Sequence, residues 1–258
     1  KQDKNIFITE NKKNYLHNLA EKLKAEVIRH NNFIGGRYSV LSEVGMLPAE
    51  LMGFKPEKFR RLNLLIKNKK FINNLILNVL NTLTHIKKKK CNSIILNYDE
   101  RSADLFAWYQ QLIAESLGKK GNGIMPTISS MPQDNHSLMQ YYLQGSKNNF
   151  FTFFFVKDGS SVKIRSKKIL SSNIFLQNKS LMDISFAQYQ ATIKVFQIKK
   201  IPFRSFLVEK RSEEVLGELF TFFMLETILL GKMMKINPYD QPAVELIKTQ
   251  TKKILKRN

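Results

Sequence analysis

Residues Asn149–Lys157 read NFFTFFFVK, an almost unbroken aromatic and apolar run. A strand with one wet face alternates apolar and polar residues, whereas a strand covered on both faces reads as a continuous apolar run. This stretch is therefore read as an interior strand of a parallel sheet, and the flanking sequence fits that frame. Upstream, Ser93–Tyr98 (SIILNY) reads as a strand, Ala103–Leu117 as a helix closed by Gly118 at the C′ position, Gly123–Ser129 as a strand and Ser137–Leu143 as a helix ending before Gly145. Downstream, Ser185–Gln197 reads as a helix, Phe203–Glu209 as a strand, Glu213–Leu230 as a long apolar helix and Ala243–Lys256 as a terminal helix. Strands alternating with helices define an α/β protein with a parallel or mostly parallel sheet and helices on both faces.

Nearer the start, Asn5–Glu10 (NIFITE) reads as a buried strand. Asn14–Glu26 reads as a helix with Leu16, Leu19 and Leu23 at helical spacing, and Ala25–Arg29 as a second short strand. After Gly35-Gly36, helices are expected over Tyr38–Met52, with Pro48 inside it or near its end, over Pro56–Ile66 and over Phe71–Ile86. No internal repeat and no low-complexity linker interrupts the pattern.

The 258 residues suffice for one large domain, or for one domain and part of another. A hydrophobic share of 43% beside 24% charged residues excludes wholesale disorder and low-complexity structure. The single cysteine, Cys91, excludes an internal disulfide and a multi-cysteine zinc site, so a reducing cytoplasmic setting is expected. The longest apolar run, Leu219–Gly231, is interrupted by Glu226 and is too short to span a bilayer. No secretory signal opens the chain, and the first residue is Lys rather than Met. We therefore expect a chain that starts inside a longer product or has been trimmed.

The net charge of +21 comes mainly from Lys, spread along the whole chain among many Asn and Ile. Nucleic-acid binders rely on Arg forks and stacked aromatics as well as Lys. The pattern here reads as a compositional bias, and Lys87–Lys90 as a solvated turn. No nucleic-acid and no membrane partner is expected, although the charge draws anions such as phosphorylated metabolites.

Four polar stretches could carry chemistry. Ile34-Gly35-Gly36-Arg37-Tyr38-Ser39 sets two glycines before an Arg at a helix start, an arrangement suited to an anion; by pattern alone an ordinary turn accounts for it at least as well. Glu115 lies at the end of an otherwise apolar helix with Gln111 one turn earlier on the same face. The helix dipole disfavours a carboxylate there, and misplaced carboxylates are mildly enriched at functional sites, but by pattern alone a solvated helix end is the better reading. Pro132–Ser137 follows a strand and opens a helix, at the carboxyl end of the sheet where open α/β folds bind ligands. It makes His136 the best placed of the four histidines for acid–base work, evenly weighed against a bystander beside a capping Asp or Asn. Asn237–Glu245 is a proline-bracketed loop into a helix, with Lys248 one turn beyond Glu245, and an ordinary surface ion pair would account for that.

Taken in chain order, the stretches IGGRYSVLSEVGMLPAEL (Ile34–Leu51), ESLGK (Glu115–Lys119), DNHSLMQYYLQG (Asp134–Gly145) and NPYDQPAVELIK (Asn237–Lys248) resemble the glucose-6-phosphate isomerase family. The resemblance runs from about Asn5 to the end of the chain. It implies a three-layer α/β/α sandwich of the sugar-isomerase (SIS) type with a helical C-terminal tail. Residues 1–51 would be the end of a first such domain, 52–216 a second, and 217–258 the tail. The Ser/Thr-rich phosphate-binding loop of the family would lie upstream of Lys1.

The resemblance also implies roles. Glu115 would move a proton between C2 and C1, and Arg37 would stabilise the enediolate. His136 and Lys248 would assist ring opening, with His136 supplied by the second subunit of a homodimer. Gly36, Gln111 and Gln241 would hold the substrate. The implied reaction interconverts glucose 6-phosphate and fructose 6-phosphate in glycolysis and gluconeogenesis. It is redox-neutral and needs no cofactor, and no His/Cys/carboxylate set here has metal-ligand spacing. A single chain is expected to bring Glu115, Arg37 and Lys248 to one cleft at the sheet's carboxyl edge, with an exposed His136 apart from it. A non-catalytic phosphosugar-sensing SIS module is the competing reading, and a sensor has no reason to keep Arg37, Glu115, His136 and Lys248 together.

Overall fold

The computed structural model describes residues 5–159, 161–165 and 171–256. These form two compact units, Lys1–Ile76 with Ser212–Glu226, and Leu77–Arg211 with Thr227–Asn258.

In the first unit β1 (Ile6–Glu10) and β2 (Glu26–His30) pair in parallel, with α1 (Tyr15–Leu23) between them in sequence. The Asn14 side chain caps α1 by accepting from the His17 N–H at 2.9 Å. The helix expected over Tyr38–Met52 is instead a 3₁₀ turn over Gly36–Leu41 followed by α2 (Glu43–Leu51). Two serines cause the break. Ser39 Oγ donates to the Gly36 carbonyl and Ser42 Oγ to the Ser39 carbonyl, both at 2.7 Å, and the extended Ser42 then serves as the N-cap of α2. The helix expected over Pro56–Ile66 likewise divides into α3 (Pro56–Phe59) and α4 (Leu62–Leu65), because Arg60 leaves the helical region at φ −89°, ψ 67°. Met46, Ala49 and Phe59 form a small core with Leu41 and Leu216 against it.

The second unit is built on a parallel four-stranded sheet in the order β4 (Met125–Ser130), β3 (Asn92–Asn97), β5 (Asn149–Val156), β6 (Phe203–Val208). Every residue of β5 is buried, as its unbroken apolar run predicts. On one face Ile94, Leu96, Phe151, Phe153 and Phe155 pack under Met139 and Tyr142 of α8 (Met139–Gln144) and Tyr189 and Phe196 of α9 (Leu181–Ile198). Phe153 meets Phe196 edge-on at 5.1 Å and Phe203 at 5.2 Å.

The opposite face carries α6 (Ala103–Leu117), whose Phe106 packs edge-on against Phe154 at 4.8 Å. It also carries the end of α5 (Lys69–Lys87), where His85 stacks on Phe150. Arg204 binds this face together, donating to Thr152 Oγ1 at 3.0 Å, to Asn78 Oδ1 at 3.2 Å and to the Tyr109 hydroxyl at 3.2 Å. Helices on both faces of a parallel sheet confirm the expected α/β class.

The remaining α-helices among the described residues are α7 (Asp134–Ser137), α10 (Glu213–Met233) and α11 (Pro242–Leu255). The helix expected over Ser137–Leu143 is the pair α7 and α8, separated at Leu138. The α9 helix starts four residues before its expected Ser185, because Ser180 and Asp183 form a capping box. No helix among the described residues is long and apolar enough to cross a membrane.

Candidate active site

Chain direction decides where each candidate residue lies. In a parallel sheet every strand runs the same way, so each intervening helix returns from the carboxyl edge to the amino edge. The last turn of α6, which carries Glu115, therefore belongs to the amino edge. The contacts agree: Gln110 Nε2 donates to the carbonyl of Pro126, the second residue of β4, at 2.8 Å. The Met125 N–H donates to the Cys91 carbonyl, just before β3, at 2.7 Å.

The turn between α6 and β4 is tight. At Gly123, φ is +126°, and a Cβ would fall 2.8 Å from the Leu117 carbonyl oxygen, so only glycine fits. Gly118, expected as a left-handed C′ residue, instead has φ −76° and ψ 69°; the positive φ values fall on Lys120 at 55° and Gly121 at 70°.

The sequence of α6 sorts its faces. Leu105, Phe106, Tyr109, Leu112, Ile113, Ser116 and Leu117 are buried. Gln111 and Glu115, four apart, share another stripe, and Gln111 Nε2 donates to Glu115 Oε1 at 3.0 Å. Glu115 is half-buried. An amide thus orients a carboxylate that sits against the unfavourable end of the helix dipole.

Beside it, the Lys119 ammonium uses all three of its donors on the C-terminal loop: the Asn237 carbonyl at 2.5 Å, the Asp240 carbonyl at 2.7 Å and Asp240 Oδ1 at 2.6 Å. The Lys119 side chain is only 12% exposed. This contact brings Gln241 and the start of α11 to the amino edge. On α11 Lys248 Nζ donates to Glu245 Oε1 at 2.7 Å, with both side chains exposed, so the pair itself adds little stability.

The carboxyl edge holds different residues. Where β4 ends, Asp134 accepts from Ser129 Oγ at 2.8 Å, from the Ser130 N–H at 2.8 Å and from Ser137 Oγ at 2.7 Å. Burial alone would raise the pKa of Asp134, but these hydrogen bonds outweigh it and hold the carboxyl below its usual value. The turn so fixed carries an exposed His136. On the same edge, after β3, β5 and β6, Arg211 bridges two carboxylates. It donates to Asp99 Oδ1 at 2.5 Å and to Asp158 Oδ1, while its N–H reaches Asp158 Oδ2 at 2.6 Å.

In the first unit, Arg37 is buried in the 3₁₀ turn, with its guanidinium 5.4 Å from the Tyr38 ring centroid. Neither Gly35 nor Gly36 has a left-handed φ, and a Cβ on either would meet open space, so neither backbone strain nor internal crowding calls for glycine there. Just upstream His30 is fixed by the Ile34 carbonyl at 2.9 Å and Glu43 Oε1 at 3.2 Å. The carboxyl of Glu43 lies below its usual value, through backbone hydrogen bonding at its own helix start and then through His30.

The expectation of a cleft at the carboxyl edge is thus corrected for Glu115 and for the segment leading to Lys248, both of which belong to the amino edge. His136 does lie apart from Glu115, at the far end of β4. A strand of six residues spans roughly 20 Å. Sequence reasoning missed Lys119, Asp134 and the Asp99–Arg211–Asp158 cluster as partners. Lys119 and Asp134 sit inside stretches already singled out, whereas nothing in the sequence brings Asp99, Asp158 and Arg211 together.

These features define a parallel-sheet α/β protein that gathers acid–base and amide side chains at the ends of its helices. The family model for phosphoglucose isomerase matches residues 12–258. The glucose-6-phosphate isomerase of Mycoplasmopsis pulmonis is 34% identical over 98% of this chain and 61% of its own length, and that of Methanocaldococcus jannaschii is 31% identical over 93% and 60%. The chain thus spans about three fifths of the curated relatives it matches. Among solved structures, a hypothetical protein from Thermus thermophilus aligns with a TM-score of 0.87 at 25% identity, over 97% of this chain and 62% of its own. A glucose-6-phosphate isomerase from Chlamydia trachomatis shares the fold with a TM-score of 0.74 at 20% identity, over 97% of this chain and 52% of its own. The chain belongs to the phosphoglucose isomerase family.

Proposed function

We propose that this chain carries the later part of an aldose–ketose isomerase that interconverts glucose 6-phosphate and fructose 6-phosphate. The observation that carries the reading is local: Glu115, oriented by Gln111, ends its helix beside the Lys119-bound loop that leads to Gln241 and Lys248.

A proton on C2 beside a carbonyl is weakly acidic, so its removal needs a positioned base and a cation near the developing oxyanion. Glu115 takes the C2 proton and returns it to C1, while a proton moves from O2 to O1. The electron pair left on C2 is shared with the oxygens as an enediolate, and Arg37 balances that charge. Lys248 and His136 open the sugar ring by moving a proton on or off the ring oxygen. Gly36, Gln111 and Gln241 hold the hydroxyls and water. General base catalysis contributes about 10²–10⁴-fold, or ~3–5 kcal/mol.

His136 would come from a second copy in a homodimer, which the distance between the two edges of one sheet supports. The protein would work in the cytoplasm. Its domains would divide as the end of one SIS domain over 1–51, a second over 52–216 and a helical tail over 217–258, with the phosphate-binding loop upstream of Lys1.

The test is a coupled isomerase assay on the full-length polypeptide and on residues 1–258 alone. Turnover of glucose 6-phosphate by the former, with kcat/KM far lower for the latter, supports the reading. A remote phosphate holds the reacting end of the sugar in place, and scattered lysines cannot fix its orientation. Full-length protein without isomerase activity refutes the function. A gap under about tenfold, ~1.4 kcal/mol, refutes the upstream phosphate site.

A further inference from the structure

The α11 helix carries Lys248 but buries none of its own residues, and Leu246, Ile247, Ile254 and Leu255 are all exposed. Packing of α11 itself therefore does little to fix its place. The loop before it is ordered: the Tyr239 N–H donates to Asn237 Oδ1 at 3.0 Å, and a Cβ on Gly231 would lie 3.0 Å from Pro238 Cβ, so the loop lies close along the end of α10. One contact that ties this loop to the end of the helix of Glu115 is the Lys119 ammonium, with three oxygens at 2.5–2.7 Å and a largely buried stem.

We infer that Lys119 is a positioning residue: by binding the Asn237 and Asp240 carbonyls and the Asp240 carboxylate, it sets Gln241 and Lys248 relative to Glu115. Lysine suits the task. Its compact ammonium has three donors that can point at three converging oxygens, whereas a planar guanidinium presents a fork that does not fit such a cage. The cage also leaves Lys119 no donor to offer a substrate, so its effect on catalysis runs through the groups it places. A misplacement of about 1 Å can cost on the order of 10²-fold in rate. The role rests on the reading of Glu115 and Lys248 given above, but its mechanical part does not.

The experiment uses the full-length protein and the variants Lys119→Met, Asp240→Asn, Lys248→Ala and Lys119→Met/Lys248→Ala. Hydrogen exchange of amides 237–248 is read first and is independent of activity. Faster exchange confined to that segment in Lys119→Met, and to a smaller degree in Asp240→Asn, is the expected result. Unchanged exchange in both overturns the inference. The Asp240→Asn protein keeps the carbonyl acceptors and decides the case if Lys119→Met does not fold.

Kinetics then separate positioning from bulk stability. Lys119→Met is expected to lower kcat about 10–100-fold with KM within about threefold, and to cost less than about threefold once Lys248 is already Ala. Fully multiplicative losses in the double variant, or wild-type kcat in Lys119→Met while Lys248→Ala is impaired, overturn the positioning role. Wild-type kcat in Lys248→Ala beside a loosened segment overturns the catalytic reading instead and leaves the mechanical link standing.

Discussion

The two edges of the second unit's sheet are built on different plans. At the amino edge a carboxylate, an amide and a caged ammonium gather at the end of α6, and they bring in a segment more than a hundred residues away in sequence. At the carboxyl edge the polar groups are spent on one another. Asp134 is saturated by two hydroxyls and an amide, and Arg211 is locked between two carboxylates. His136 stands exposed there. Glu115 retains a half-buried carboxylate and His136 an exposed ring, and a strand's length separates them. That separation supports the proposal that a site using both groups draws them from two copies.

The largest effect is expected at the amino edge. In the full-length protein Glu115→Gln should lower kcat by about 10²–10⁴-fold with a much smaller change in KM, since the amide keeps shape and hydrogen bonds but takes no proton. A variant with wild-type kcat would remove Glu115 from the mechanism. At the carboxyl edge, Arg211→Met should act on stability. It leaves Asp99 and Asp158, whose side chains are 10% and 18% exposed, facing each other without a cation. The expected loss is about 2–4 kcal/mol in denaturant unfolding, and a loss below ~0.5 kcal/mol would mean that the cluster contributes nothing net.

Much of this organisation is legible in the sequence, and the failures have physical causes. The Ala103–Leu117 helix is found to the residue, because its apolar period is regular and the flanking Ser102 and Gly118 bound it. The β5 strand is equally clear, since eight consecutive buried positions leave no other reading. Where hydroxyls compete for backbone carbonyls, as Ser39 and Ser42 do, hydrophobic periodicity alone overlooks the break. The start of α9 is missed because its capping box uses Asp183 in place of the commoner Glu or Gln.

Glu115, His136, Arg37 and Lys248 are visible in the sequence as polar groups in odd places, but the edge expected for Glu115 and for the segment leading to Lys248 is the wrong one. Open α/β folds bind ligands at the carboxyl edge, but the alternation of strand and helix requires the end of α6, and Glu115 with it, to lie at the amino edge. Sheet order and the Lys119 cage depend on contacts remote in sequence, which no local pattern encodes.

Smaller effects sharpen the comparison further. Asp134→Ala should loosen the turn of His136 and lower kcat by about 3–30-fold, with a loss of about 1–2 kcal/mol in unfolding free energy because the buried Ser129 hydroxyl also loses its carboxylate acceptor. Unchanged kcat would mean that His136 does not need that turn.

The smallest expected effect concerns pH. Burial, with Lys90 and Lys88 nearby, lowers the pKa of His85 from its ordinary 6.5, so the folded state favours the neutral ring. The unfolded chain then binds the proton first as pH falls, and the stability held above about pH 6.5 declines below it. His85→Gln should flatten the denaturant midpoint between about pH 7.5 and about pH 5.5, and an equally steep variant would assign the slope elsewhere.

The division of labour between the edges is tested most directly by mixing. Full-length Glu115→Gln and His136→Asn proteins, each nearly inactive alone, are co-expressed and purified together. If each site takes Glu115 from one copy and His136 from the other, half of a random population of dimers is mixed, and each mixed dimer holds one intact site. The expected activity is about a quarter of wild type. Activity no higher than that of the two separate variants would contradict an active site shared between the amino edge of one copy and the carboxyl edge of another.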